Sequence, residues 1–177
     1  MPKYPSLTPF IVHGHDHVFR DEVVRFLQND LGLKPPIVLD GVASAGLTVI
    51  EKFEREASRC DLAIILLTPD DEATTSGGIA YRTARPNVLF ELGYFMARFG
   101  RKSGRTLIIY RKGLDIPSDL SGVVYIDASQ GITSPSVVEK LALELNHVVQ
   151  SPRPHGQNTP LAAGTFNVTG RLNLTGL

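Results

Sequence analysis

Leu62-Ala63-Ile64-Ile65-Leu66-Leu67 is an unbroken apolar run, entered through Cys60-Asp61 and left through Thr68-Pro69-Asp70-Asp71. A strand with one wet face alternates apolar and polar residues, so a short continuous run predicts a strand covered on both faces. Phe10-Ile11-Val12 and Pro36-Ile37-Val38-Leu39 upstream, and Thr106-Leu107-Ile108-Ile109-Tyr110 downstream, have the same character, and Val123-Val124-Tyr125-Ile126 is a weaker fifth run. Between the runs the periodicity changes. Phe19, Val23, Phe26, Leu27 and Leu31 fall on one helical stripe, with Asp16 or Asp21 placed to cap its start and Gly32 to stop it. Ile50, Phe53 and Ala57 form a second stripe behind Thr48 and Glu51, the spacing of a capping box. Val88, Leu92, Phe95 and Phe99 form a third between Pro86 and Gly100, and Val137 or Val138, Leu141, Leu145 and Val148 form the last.

Strand and helix therefore alternate, which predicts an α/β fold with a parallel sheet, right-handed crossovers and helices on both faces. Five strands in this order are expected in the flavodoxin-like arrangement 2-1-3-4-5. Its switch point lies between the first and third strands, and ligands bind outside their carboxyl ends. That topology selects two loops, His13-Gly14-His15-Asp16-His17 and Thr68-Pro69-Asp70-Asp71.

Composition narrows the classes of function. The 177 residues suit one domain plus a tail. Lys plus Arg (18) equals Asp plus Glu (18), so charge gives no reason to expect nucleic acid or an anionic membrane as partner. A lone cysteine, Cys60, excludes an internal disulfide and a multi-cysteine zinc site. Met1-Pro2-Lys3-Tyr4-Pro5-Ser6 lacks the apolar stretch of a signal peptide, and no run approaches the ~20 residues of a membrane span. The expected location is cytoplasmic. Residues 1–8 read as an N-terminal extension, 9–150 as the domain and 151–177 as linker and tail. In the tail, Phe166, Val168, Leu172 and Leu174 recur at even positions, which predicts an appended strand or hairpin.

His13, His15 and His17 alternate, and a strand would point all three the same way. A dinuclear metal centre needs more ligands than the later strands offer, so the expectation is a loop that touches substrate, with no metal. Gly14 permits close backbone approach, and Asp16 has a helix cap as its simpler role. Asp70 and Asp71 flank the same crevice, although Pro-Asp-Asp-Glu is also ordinary turn composition. The stretch from Asp70 to Arg85 and the small-residue loop Asp40–Gly46 both read as mobile loops. No glycine-rich dinucleotide or P-loop cradle is present.

Glu91 stands in Pro86-Asn87-Val88-Leu89-Phe90-Glu91-Leu92-Gly93-Tyr94-Phe95-Met96, a segment almost devoid of other charge, one position from the buried stripe. Partial desolvation there should raise its pKa, and its helix follows the third strand and so borders the crevice. The plainer alternative is a solvated glutamate, or one paired with Arg85, Arg98 or Arg101.

The segments Phe10–Asp16, Gly46–Glu54, Leu67–Asp71, Arg85–Phe95, Gly100-Arg101 and Ile116–Val123, in that order, resemble the bacterial TIR-like family of nucleotide-binding proteins found among anti-phage defence effectors. The resemblance covers about residues 8 to 150. It implies a flavodoxin-like fold and cleavage of NAD+, as substrate and with no cofactor, to nicotinamide and linear or cyclised ADP-ribose. Glu91 matches the family's essential glutamate. It would hold the nicotinamide ribose and stabilise an oxocarbenium-like transition state, or attack the anomeric carbon. Candidate substrate contacts are His13, Gly14, His15, Asp16, Gly46, Thr68, Asp70, Asp71 and Asn87. The loop Gly41–Leu47 resembles one that completes a neighbour's site, so activity would require a homo-oligomer. Asn87 stands where many TIR domains carry Trp, which leaves Phe53, Tyr81 and Phe90 as stacking candidates. Relatives often add a sensing domain, and about 27 residues follow Gln150 here. The sensor or activator is expected on a separate protein, or on a longer natural chain. The competing readings are a non-catalytic scaffold that signals by assembly and an enzyme that passes a ribosyl group to another acceptor.

Overall fold

The computed structural model describes residues 3–42, 45–115, 120 and 123–152. The expected tail strand around Phe166 to Leu174, Ala43 and Ser44 of the loop after the second run, and most of Ile116–Gly122 lie outside the described residues.

Strands β1 (Pro9–Val12), β2 (Leu62–Leu67), β5 (Thr106–Tyr110) and β6 (Val124–Asp127) form a parallel sheet in the order β1-β2-β5-β6. Among the described residues four α-helices surround it, α1 (His17–Arg25), α2 (Val49–Ala57), α3 (Pro86–Phe99) and α4 (Pro135–Gln150). Alternate strand residues serve opposite faces. Ile11, Ile64, Leu66, Leu107 and Ile109 pack with Phe19 and Val23 of α1 and with Leu141 and Leu145 of α4. Phe10, Val12, Ala63, Ile65, Leu67 and Ile108 pack with Phe53 of α2 and with Val88, Leu92 and Phe95 of α3. Both faces of β2 are therefore apolar and fully buried, as its unbroken run requires. Burial of each such Leu or Ile contributes about 1.5–3 kcal/mol, enough for a core with no cross-link.

The anticipated second strand is a correction. Pro36–Leu39 makes one parallel bridge, Phe10 to Ile37, beside β1. Ile11 N–H donates to the Ile37 carbonyl at 2.9 Å, and Ile37 N–H donates to that of Pro9 at 2.9 Å. Pro35 and Pro36 have no N–H to extend the ladder, and Leu39–Gly41 turns at once into a short 3-10 helix. The expected strand order survives with its outer member reduced to one residue. A second correction concerns the stretch after Asp70, where β3 (Asp71–Thr74) and β4 (Ala80–Thr83) pair antiparallel as a hairpin.

Helix boundaries follow the expected caps. Asp16 Oδ1 accepts from Phe19 N–H at 2.9 Å, and Thr48 with Glu51 forms the reciprocal capping box. The α3 helix stops at Gly100, whose φ of +76° favours glycine. A π-helical turn, Phe26–Asp30, prolongs α1, and a backbone bond from Tyr4 N–H to the Leu31 carbonyl (3.0 Å) ties the extension to it. Tyr4 and Leu7 are buried in the core, so the segment before β1 is part of the packing.

Candidate active site

The β1 strand leads into α1 on one face, and β2 leads through its hairpin into α3 on the other, so the sheet order reverses at β1 and β2. A crevice opens outside the carboxyl ends of strands at such a reversal. The chain returns to the same edge after Ile37, which brings Asp40 there as well.

Glu91 sits in the second turn of α3 and is half-buried. Burial, reinforced by the like charge of Asp40, pushes its pKa up to about 7. Among the described residues no salt bridge reaches it, and the pairing with Arg85, Arg98 or Arg101 does not form. A carboxyl group in this state exchanges its proton near neutrality.

Asp40 went unrecognised as a site residue in the sequence. Its Oδ2 lies 3.3 Å from His13 Nε2, 3.1 Å from Arg20 Nη1 and 3.9 Å from His17 Nδ1. His13 Nδ1–H donates to the Gly14 carbonyl at 2.8 Å. Burial outweighs that bond and the nearby Asp40 and holds the His13 pKa below its ordinary value. At neutral pH the ring is then largely uncharged. The common orientation anticipated for the three histidines does not occur, because β1 ends at Val12 and His17 already opens α1. His15 is exposed and outside the cluster.

Gly14 and Asp70 belong together. A Cβ on Gly14 would lie 1.7 Å from Asp70 Oδ2, so only glycine lets that carboxylate approach the loop. Thr68, buried at the end of β2, donates its hydroxyl to the same oxygen at 2.8 Å. Asp71 starts the hairpin opposite Thr83. Asp16 is committed on both oxygens, one capping α1 and the other 3.1 Å from Arg111 Nη1. Arg111 also reaches Glu22 (3.2 Å) and lies over the Phe19 ring (4.1 Å). Asn87 is exposed one turn before Glu91, on the same side of α3. Gly46 is exposed, with φ +81° and no atom within 4 Å of where a Cβ would stand.

Of the three stacking candidates, Phe53 is corrected. It is buried against Phe10, Tyr94 and Phe95 in an aromatic cluster and has no face to offer. Phe90 (61% exposed) and Tyr81 (39% exposed) keep open faces. Cys60 is buried, its Sγ–H donating to the Ala57 carbonyl, and burial pushes its pKa up to about 12. No helix among the described residues is long and apolar enough to cross a membrane.

The chain is similar to the uncharacterized protein YuaY of Escherichia coli K12, with 42% identity over 68% of this chain and 40% of that one. Protein tirC of Dictyostelium discoideum is 37% identical over 70% of this chain and 65% of its own length. Pycsar effector protein PaPycTIR of Pseudomonas aeruginosa is 39% identical over 71% of this chain and 41% of its own. The chain thus spans less than two thirds of each of these relatives. The family model described as CAP12/Pycsar effector protein, TIR domain, matches residues 9–130, from the first residue of β1 to just beyond β6. These residues include Glu91, Asp40 and both crevice loops, and the chain belongs to the TIR-domain family of CAP12/Pycsar effector proteins.

Proposed function

We propose that this chain is an anti-phage defence effector that hydrolyses NAD+ at the nicotinamide–ribose bond once it self-associates. The observation that carries the reading is Glu91, a half-buried carboxyl group with no salt bridge among the described residues and a pKa of about 7 at the crevice edge. A lone buried anion is costly unless a cationic ligand offsets the cost, and the nicotinamide ring of NAD+ is such a ligand. In the reaction the C1′–N1 bond breaks, and nicotinamide leaves neutral with the bonding electron pair. A water oxygen then bonds to C1′ and one proton is released. The ionised Glu91 stabilises the cationic sugar between these events, or forms a bond to C1′ that water later replaces. The approaching positive ring favours the ionised acid.

His13, Gly14, Asp70 and Asn87 border the substrate in this reading, while Asp16 and Thr68 hold the loops that present it. Self-association is supported by the loop after Asp40. Ala45 (φ +49°) and Gly46 are exposed, with no atom within 4 Å of where a Gly46 Cβ would stand, which leaves room for a neighbour at this point. The relatives named Pycsar effector proteins support the defence role.

Chromatographic assay of nicotinamide release, across a range of protein concentrations, tests this. Wild type should release nicotinamide with a rate per molecule that rises with concentration. Glu91→Gln should reduce the rate by about a thousandfold, the scale of losing one charged stabiliser of a transition state. Equal release by the two proteins rejects the assignment. No release by wild type in any assembled form would instead favour a scaffold that signals by association. Activity should persist in chelator, because no metal takes part in the bond cleavage.

A further inference from the structure

At the mouth of the crevice, three ligand atoms of the kinds that bind zinc converge with no metal role in the chemistry above. His13 Nε2, His17 Nδ1 and Asp40 Oδ2 all lie within 4.8 Å of one another. Tetrahedral zinc holds nitrogen and oxygen ligands at about 2.0–2.2 Å, which separates neighbouring ligand atoms by roughly 3.3 Å. The His13–Asp40 separation is 3.3 Å and the His17–Asp40 separation 3.9 Å, so small shifts of the exposed His17 and Asp40 side chains bring both histidine–carboxylate pairs to that spacing.

A second, independent observation is the orientation of the rings. The Gly14 carbonyl takes the proton of His13 Nδ1, leaving Nε2 turned toward Asp40. Metal-binding imidazoles are commonly fixed in this way by a backbone carbonyl. Arg20 can only donate, and its Nη1 lies 2.9 Å from His17 Nδ1, so that nitrogen presents a lone pair. Arg20 Nη1 also lies 3.1 Å from Asp40 Oδ2. A cationic group therefore already occupies the point where His17 and Asp40 meet. Arg20 has a second carboxylate partner, Asp21, at 2.9 Å from its Nε, and can retire to it.

We propose that His13, His17 and Asp40 bind a zinc-class divalent ion that displaces Arg20 and obstructs the crevice faced by Glu91. Two imidazoles and one carboxylate suit zinc over magnesium or calcium, which prefer oxygen-only sites. Three protein ligands leave a fourth position open for water. The ion is a regulator, compatible with catalysis that needs no metal. The regulatory half rests on the proposed function, whereas the binding half does not.

Isothermal titration of the whole chelator-treated chain with zinc chloride, without NAD+, tests the binding half. One equivalent should bind with micromolar affinity and raise the thermal midpoint, and magnesium chloride should do neither. Asp40→Asn and His17→Ala should each weaken zinc at least tenfold. Arg20→Gln should tighten it severalfold by removing the resident cation, a gain that a disordered or misfolded protein would not show. No stoichiometric heat, or affinity unchanged in Asp40→Asn and His17→Ala, overturns the site. Nicotinamide release should fall in step with zinc occupancy. Release unaffected at full occupancy overturns the regulatory half, while an inactive wild type that still binds zinc places the failure in the NAD+ reading alone.

Discussion

The two ends of the sheet treat buried charge in opposite ways. At the amino end, Arg105 is buried at the start of β5, with Nη1 2.9 Å from the Asp61 carbonyl and Nη2 3.1 and 2.9 Å from those of Val148 and Ser151. Asp61 beside it accepts from Thr8 N–H at 2.8 Å. At the carboxyl end, Glu91 has no salt bridge among the described residues and feels the like charge of Asp40. The first arrangement closes the last turn of α4 onto the strands, and a buried guanidinium donating to three backbone carbonyls reads as architecture. The second leaves a charge uncompensated where the topology places a ligand, which is how a fold commits stability to binding.

The largest expected effect is at the satisfied end. Arg105→Met removes the donor to three carbonyls in one step and should cost about 3–5 kcal/mol in urea denaturation, the scale of breaking a buried charged network. A loss under about 1 kcal/mol would show that water replaces the guanidinium, and the contrast between the ends would weaken. At the open end the sign reverses. The Glu91 pKa is about 7 when folded, against an ordinary value of 4.5, so the folded protein holds the proton more tightly. Its stabilising contribution is complete below the ordinary value and is lost as pH rises through about 7. Glu91→Gln should therefore be more stable than wild type at pH 8.5 by roughly 1–2 kcal/mol, after discounting for solvent screening, with the gap closing by pH 4.5. Lower stability of the variant at the higher pH would mean that the carboxylate is paired.

The sequence showed the satisfied parts of the fold better than the open ones. Four strands, four helices and the Thr48–Glu51 capping box were legible because periodicity and caps are local signals. Glu91 was legible for a related reason, as an isolated charge beside an apolar stripe. The outer strand failed because partial burial of Ile37 gave an apolar run that the two prolines prevent from pairing beyond one bridge. The hairpin was hidden by Asp71, Glu72 and Thr74, whose composition reads as loop. Asp40 was missed because its neighbours come from two distant parts of the chain, His13 and His17 from one and Glu91 from the other, and only the crossover brings them together. Phe53 misled in the opposite direction, since aromatic character does not tell a stacking platform from a core ring.

The smallest effect isolates Asp40 from burial as a cause of the Glu91 shift. Burial is the larger cause and Asp40 the lesser, and both raise the pKa. Asp40→Asn removes only the lesser one, so the Glu91 pKa should fall while remaining above the ordinary value. If the ionised acid is the active form, the acid limb of the kcat/KM–pH profile, measured in chelator to exclude metals, should move down by about half a pH unit. Raising salt in wild type should reproduce part of that movement, because screening weakens a charge–charge effect and leaves desolvation intact. An upward shift would mean that Asp40 acts chiefly by holding His13 and Arg20 in place. An unmoved limb that still falls near pH 7 would assign the whole perturbation to burial, and the open end of the sheet would then owe its reactivity to α3 alone.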